Sequence, residues 1–145
     1  MEVLIIFDSN FGNTKKIADH IANKIGINAS SKSVNDFKES DLQGIKLLIV
    51  GSPINAWKPT EKITRFLNRL KSLKLTGLKG AAFDTRVKSF LSGNAAKKIS
   101  RELENSGVNI IGSPIGFYVK GNEGPLLEGE FKKADDWIQL IIPKI

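Results

Sequence analysis

Val3-Leu4-Ile5-Ile6-Phe7 runs directly into Asp8-Ser9-Asn10-Phe11-Gly12-Asn13-Thr14, and the reading of this stretch decides the fold. Its first five residues are continuously apolar, the pattern of a strand buried on both faces in the middle of a parallel sheet. Beyond Thr14, residues Ile17, Ala18, Ile21, Ala22 and Ile25 recur at helical spacing, and Gly26 occupies the place of a helix C-terminal glycine. A strand, a glycine-bearing turn and a helix in this order begin a βαβ unit.

Outward from that stretch the alternation continues. Residues 27–33 read as a short second strand and residues 36–42 as a turn-rich or helical crossover. Leu47-Leu48-Ile49-Val50 is a second fully apolar run and the third strand. Thr60 is a helix cap ahead of Ile63, Phe66, Leu67 and Leu70, which fall at i, i+3, i+4 and i+7. Gly80-Ala81-Ala82-Phe83 is a fourth strand, and residues 94–105 form a helix with Ala95, Ala96, Ile99 and Leu103 inward, closed by Gly107. Residues 108–119 form the last strand region, where Pro114 argues for an edge. Phe131, Ala134, Ile138 and Ile141 mark the inward stripe of a final helix, with Trp137 beside it.

Five strands alternating with helices predict an α/β three-layer domain over residues 1–145, with a doubly wound parallel sheet. The first and third strands are the most apolar and belong at the centre, which the order 2-1-3-4-5 satisfies. Its switch point lies between those two strands, and ligands bind there, outside the strand C-terminal ends.

Composition narrows the function classes. The chain has 145 residues and no cysteine, which excludes disulfides, thiolate metal sites and cysteine nucleophiles. Its apolar runs are too short to span a bilayer, and the first strand follows Met1 too closely to leave room for a signal peptide. A cytoplasmic protein is therefore expected. The net charge is +7, from 22 Lys+Arg against 15 Asp+Glu. The lysines are scattered, with doublets at Lys15-Lys16, Lys97-Lys98 and Lys132-Lys133, each near a predicted helix start, where cations oppose the macrodipole. No basic-aromatic interleaving suggests single-stranded nucleic acid. No His/Asp/Glu cluster suggests a metal. His20 falls on the first helix, facing solvent.

The loop leaving the first strand has the chemistry of an anion site. Gly12 permits a tight turn that converges backbone N–H groups, and the following helix start adds free donors. Ser9 and Thr14 offer hydroxyls and Asn13 an amide. The competing reading is that Thr14 or Asn13 simply caps the helix. Relatives in architecture fit less well. A phosphorelay receiver requires Asp where Gly51-Ser52 ends the third strand, and a Walker site requires its Gly-Lys-[Ser/Thr].

Residues 5–14 resemble the phosphate loop of flavodoxins, [ST]-x-x-G-x-T, in the variant with an aromatic before the glycine and Asn after it. Gly51-Ser52-Pro53 resembles the opening of their second flavin loop. Phe83-Asp84-Thr85-Arg86 and Gly116-Phe117-Tyr118-Val119-Lys120-Gly121, followed by Glu123-Gly124-Pro125-Leu126, look like stretches of a short-chain flavodoxin-like family. The resemblance covers essentially the whole chain. It implies flavin mononucleotide (FMN) as cofactor, with its phosphate on Ser9, Asn10, Phe11, Gly12, Asn13 and Thr14.

The isoalloxazine ring would lie between two loops. One carries Pro53, Ile54, Asn55, Ala56 and Trp57, where Trp57 is either the stacking partner or an ordinary surface or core tryptophan. The other, residues 84–94, carries Asp84, Thr85 and Arg86 toward the ring's polar edge; Phe90 either covers the ring or plugs the sheet end. Tyr118 is structural. In flavodoxins a backbone carbonyl, often at a glycine, turns toward N5–H on one-electron reduction. Here Asn55-Ala56 stands instead, and asparagine is the residue that tolerates positive φ.

The resemblance implies an electron carrier between redox proteins, and the basic surface implies partners with acidic docking surfaces. Two alternatives stay open: a small FMN oxidoreductase acting on NAD(P)H or a quinone, and a binding module of the same fold without flavin.

Overall fold

The structure is a computed structural model that describes residues 2–89 and 93–145. The described residues form one six-stranded sheet, all pairings parallel, with helices on both faces. Strand β1 is Val3–Phe7, followed by helix α1, Asn13–Ile25, and strand β2, Ala29–Ser33. Two short 3-10 turns, Val34–Asp36 and Glu39–Leu42, make the crossover to β3, Leu47–Pro53. Helix α2 is Glu61–Leu70, β4 is Lys79–Val87, and α3 is Ala95–Asn105. Strands β5, Asn109–Ile110, and β6, Ile115–Val119, precede helix α4, Glu130–Ile141.

The order β2-β1-β3-β4-β5 is the one expected, with β1 and β3 central, β1 buried throughout and β3 buried from Leu47 to Ser52. The last strand region departs from expectation. It splits into two short strands on the same flank of β4, β5 pairing Lys79–Gly80 and β6 pairing Phe83–Val87. Pro114 lies in the break, where its missing N–H interrupts no ladder.

Two apolar layers hold the sheet. On one face Ile5, Phe83 and Phe117 pack against Ile17 and Ile21 of α1 and Trp137 and Ile141 of α4. On the other, Ile6, Leu48 and Val50 pack against Ile63 and Phe66 of α2 and Ile99 of α3. Thr60 caps α2 as expected, accepting from the Ile63 N–H. Asn94 caps α3 by accepting from the Lys97 N–H.

The stripe of α4 holds at Ala134, Ile138 and Ile141 and departs from expectation at Phe131. Glu130, Ala134, Trp137, Ile138 and Ile141 are buried, while Phe131 is 41% exposed and lies against the His20 ring. The Glu130 carboxylate is drawn in because it accepts the Tyr118 N–H of edge strand β6 at 2.5 Å and the Lys133 ammonium at 3.0 Å. An edge-strand donor buried beneath a helix requires such an acceptor. His20 is not simply solvent-facing: it pairs with Asp135 of α4 at 2.7 Å.

Candidate functional site

At the C-terminal ends of β1, β3 and β4 the loops part around a crevice of about 560 Å3, within the range of ordinary ligand pockets. It lies at the switch point. Its walls include Ser9, Asn10, Phe11, Asn13 and Thr14 from the first loop and Pro53, Ile54, Asn55, Ala56 and Trp57 from the second. Thr85 and Arg86 form its floor.

The first loop is preorganised as an anion cradle. Gly12 adopts φ 91, a left-handed conformation that only glycine takes without strain, and starts α1. Ser9 Oγ accepts from the N–H groups of Gly12, at 3.1 Å, and Lys15, at 3.3 Å. The N–H groups of Asn10, Phe11, Asn13 and Thr14 make no hydrogen bond among the described residues. Four free donors at a helix start suit a phosphate.

The capping alternative fails, because neither candidate side chain caps α1. Thr14 Oγ1 bonds Thr85 Oγ1 at 2.8 Å, tying the loop to β4. The Asn13 amide donates to the Glu123 carbonyl at 3.1 Å, so it fastens the loop to the segment after β6 rather than standing free as a phosphate donor.

The second loop is a two-residue hairpin. Asn55 N donates to Lys58 O at 2.7 Å and Lys58 N to Asn55 O at 3.2 Å. Between them Ala56 has φ 50 and Trp57 φ 67. Positive φ at both central residues is the geometry of a type I′ turn, usually built from Asn-Gly. Positive φ was expected at Asn55 and lies instead one and two residues later, on side chains that disfavour it. The turn leaves Trp57 68% exposed, and Phe11 on the opposite loop is 55% exposed, so two aromatic rings stand at the crevice rim. Behind them Thr60 N–H donates to Ser52 Oγ at 3.0 Å and Thr60 Oγ1 to the buried Asp8 carboxylate at 2.6 Å. That chain of bonds joins the two loops.

Strand β4 runs to Val87, so Asp84, Thr85 and Arg86 belong to a strand and not to a loop. Apolar residues alone mark the predicted end at Phe83, and polar strand residues are legible only through their partners. Asp84 does not line the crevice. It is fully buried, paired with Arg86, and accepts the Ala96 N–H at 2.8 Å. Burial pushes the Asp84 carboxyl above its ordinary range, against the pull of the Arg86 guanidinium. Phe90 lies outside the described residues. The sequence reading missed Val87, Ser89, Val119 and Asn122 in the lining. The rule that ligands gather at strand C-terminal ends pointed at the ends of β4 and β6 and would have found them.

A family model described as a flavodoxin domain matches residues 4–139. The chain belongs to the flavodoxin family. The cofactor of that family is FMN, and the crevice of this chain fits it: free N–H donors at one end, aromatic rim at the other. Among solved structures it is similar to flavodoxin 1 of Bacillus cereus, with 19% identity, a TM-score of 0.84 and coverage of 100% of this chain and 99% of that one. An archaeal flavodoxin is 21% identical, with a TM-score of 0.81 and coverage of 99% and 98%. A Fusobacterium nucleatum flavodoxin bound to flavin mononucleotide is 15% identical, with a TM-score of 0.78 and coverage of 99% and 98%. No curated protein matches this flavodoxin significantly.

Proposed function

We propose that the protein is an FMN-binding electron carrier in which the described crevice holds the flavin and edge-on access at its rim passes electrons to partner proteins. The observation that carries this reading is the set of four unbonded N–H groups at Asn10, Phe11, Asn13 and Thr14, facing a second loop across the switch point. Ser9 and Gly12 shape that cradle, Thr14 and Thr85 anchor it to the sheet, and Pro53 to Trp57 provide the wall for the ring. Bound there, FMN supplies one- and two-electron chemistry; the protein positions it and sets its electrostatics.

The partners in this reading are redox proteins with acidic docking surfaces. Lys15-Lys16, Lys97-Lys98 and Lys132-Lys133 all fall in the first turns of α1, α3 and α4, at the crevice end of the sheet. Neither α1 nor α3 has an acidic residue in its first turn. Cations there oppose the helix dipoles; Lys15, Lys132 and Lys133 are held by ion pairs with Asp19, Asp136 and Glu130, whereas Lys16, Lys97 and Lys98 make no ion pair among the described residues. The lysines left without an ion pair at these helix starts attract carboxylates and raise their encounter rate. None of the described helices is long and apolar enough to cross a membrane, and we place the protein in the cytoplasm as a single flavodoxin-like domain.

Reconstitution tests the reading. Purified protein mixed with FMN is expected to acquire shifted flavin absorption bands, to consume NADPH in air only when a reductase is added, and to accept electrons from that reductase more slowly as salt rises. A protein that stays colourless is a binding module instead, and rapid unaided NADPH oxidation makes it an oxidoreductase.

A further inference from the structure

The lysines at the rim lie on helix surfaces, but one cation is held in the lining of the crevice. Arg86 donates from Nε to Asp84 Oδ1 and from Nη2 to Asp84 Oδ2, both at 2.7 Å, and from Nη2 to Asn94 Oδ1 at 3.1 Å. Its guanidinium lies on Gly116 of β6, where any Cβ would stand 2.3 Å from Nε. The Arg86 side chain is 16% exposed and lines the crevice; the Asp84 side chain is fully buried and does not. The pair is therefore an oriented dipole with its positive end toward the ligand. Anchoring α3 to β4 accounts for the Asp84 bond to Ala96 but not for an arginine. A neutral donor satisfies a buried carboxyl oxygen without the desolvation cost of a second ion.

We propose that the Arg86–Asp84 pair sets the reduction potential of the bound flavin. Arg86 stabilises the negative charge that reduction places on the ring, and Asp84 sets how much of the Arg86 charge the ring feels. The inference rests on the FMN reading above. Reduction adds two electrons, from a partner protein or from dithionite in the assay, and one proton from water, leaving one net negative charge on the ring at neutral pH. A fixed, largely buried cation acts on that charge more strongly than screened surface lysines do.

The test is potentiometric titration of FMN-loaded wild type, Arg86→Gln, Asp84→Asn and the double variant. The two single variants shift the two-electron potential in opposite directions: Asp84→Asn highest, then wild type, with the double variant and Arg86→Gln lowest and close together, because a buried carboxyl without its cation takes up a proton. Between the extremes the ratio of reduced- to oxidised-flavin affinity changes by about tenfold or more, roughly 30 mV for a two-electron couple. A merely structural role lowers thermal stability in both single variants without this order, and that result overturns the proposal. If Arg86→Gln fails to fold with the buried Asp84 carboxyl left without its partner, the double variant decides: a potential equal to or above wild type refutes the inference. A wild-type protein that takes up no FMN overturns the cofactor reading instead, and this one with it.

Discussion

The loop over residues 8–14 turns at Gly12, where φ 91 meets no Cβ penalty, whereas the loop over residues 53–58 turns at Ala56 and Trp57, with φ 50 and 67. The first is relaxed and waits with free donors. The second holds two side-chain-bearing residues in a conformation that costs about 1–2 kcal/mol each. Such strain persists only where the surroundings fix it, and here they do so through the Asn55–Lys58 pair and the Thr60 bonds to Ser52 and Asp8. One end of the crevice is thus built for tight, unchanging contact and the other for a conformation that a ligand state can tip. Affinity is expected to come mainly from the phosphate end and redox adjustability from the ring end.

The sharpest way to break this contrast is Gly12→Val. A branched side chain at positive φ closes the cradle, so FMN binding is expected to fall by more than a hundredfold, on the order of 3 kcal/mol or greater. Riboflavin, which has no phosphate, is expected to be affected far less, and circular dichroism is expected to report a folded apoprotein. Equal losses for both flavins would place the phosphate elsewhere. Trp57→Ala addresses the opposite loop. Removing one stacked face is expected to weaken FMN and riboflavin alike by about tenfold, the worth of roughly 1–1.5 kcal/mol of aromatic contact, read by fluorescence titration.

A milder change sharpens the strain argument. Ala56→Gly relieves the left-handed cost at one position and is expected to raise the denaturation midpoint of the apoprotein by an amount worth about 0.5–1 kcal/mol. Unchanged or lowered stability would show that the hairpin is unstrained.

The smallest effect lies outside both loops and serves as their control. Backbone donation from Lys38 and the Lys32 ammonium hold the Asp41 carboxyl below its ordinary range. A carboxylate lowered in the folded state adds stability above its unfolded value and loses it as pH falls through the folded one. Asp41→Asn is therefore expected to reduce stability slightly at neutral pH and to flatten the acid limb of the pH–stability curve, leaving flavin affinity unchanged.

How much of this was legible in the sequence follows from which forces act locally. The apolar runs of β1 and β3 have no other soluble destination than a buried parallel sheet, and their central position fixed the switch point. Gly12 and the Thr60 cap were readable because each meets a requirement within a few residues of chain. Asp84 was misplaced because its partners, Arg86 and the Ala96 N–H, make a polar strand end look like a loop. Phe131 was misplaced because Glu130 answers a distant demand, the N–H of Tyr118, and takes the buried place in the first turn of the helix. The crevice-facing geometry of Ala56 and Trp57 was illegible for a related reason. Their positive φ is imposed by the hairpin bonds and contradicts the preference of the residues themselves.

The same Glu130 carboxylate has a consequence for how copies of this chain meet. Along β6, the Tyr118 N–H is taken by Glu130, the Tyr118 carbonyl by Leu127 and the Lys120 N–H by Pro125. Over Tyr118 to Lys120 the strand margin therefore has its groups already engaged and is a poorer template on which another chain can extend the sheet. Crowded among its own kind, the molecule has the end of that flank covered against fibrous growth, and a single acidic side chain drawn under a helix does part of the covering.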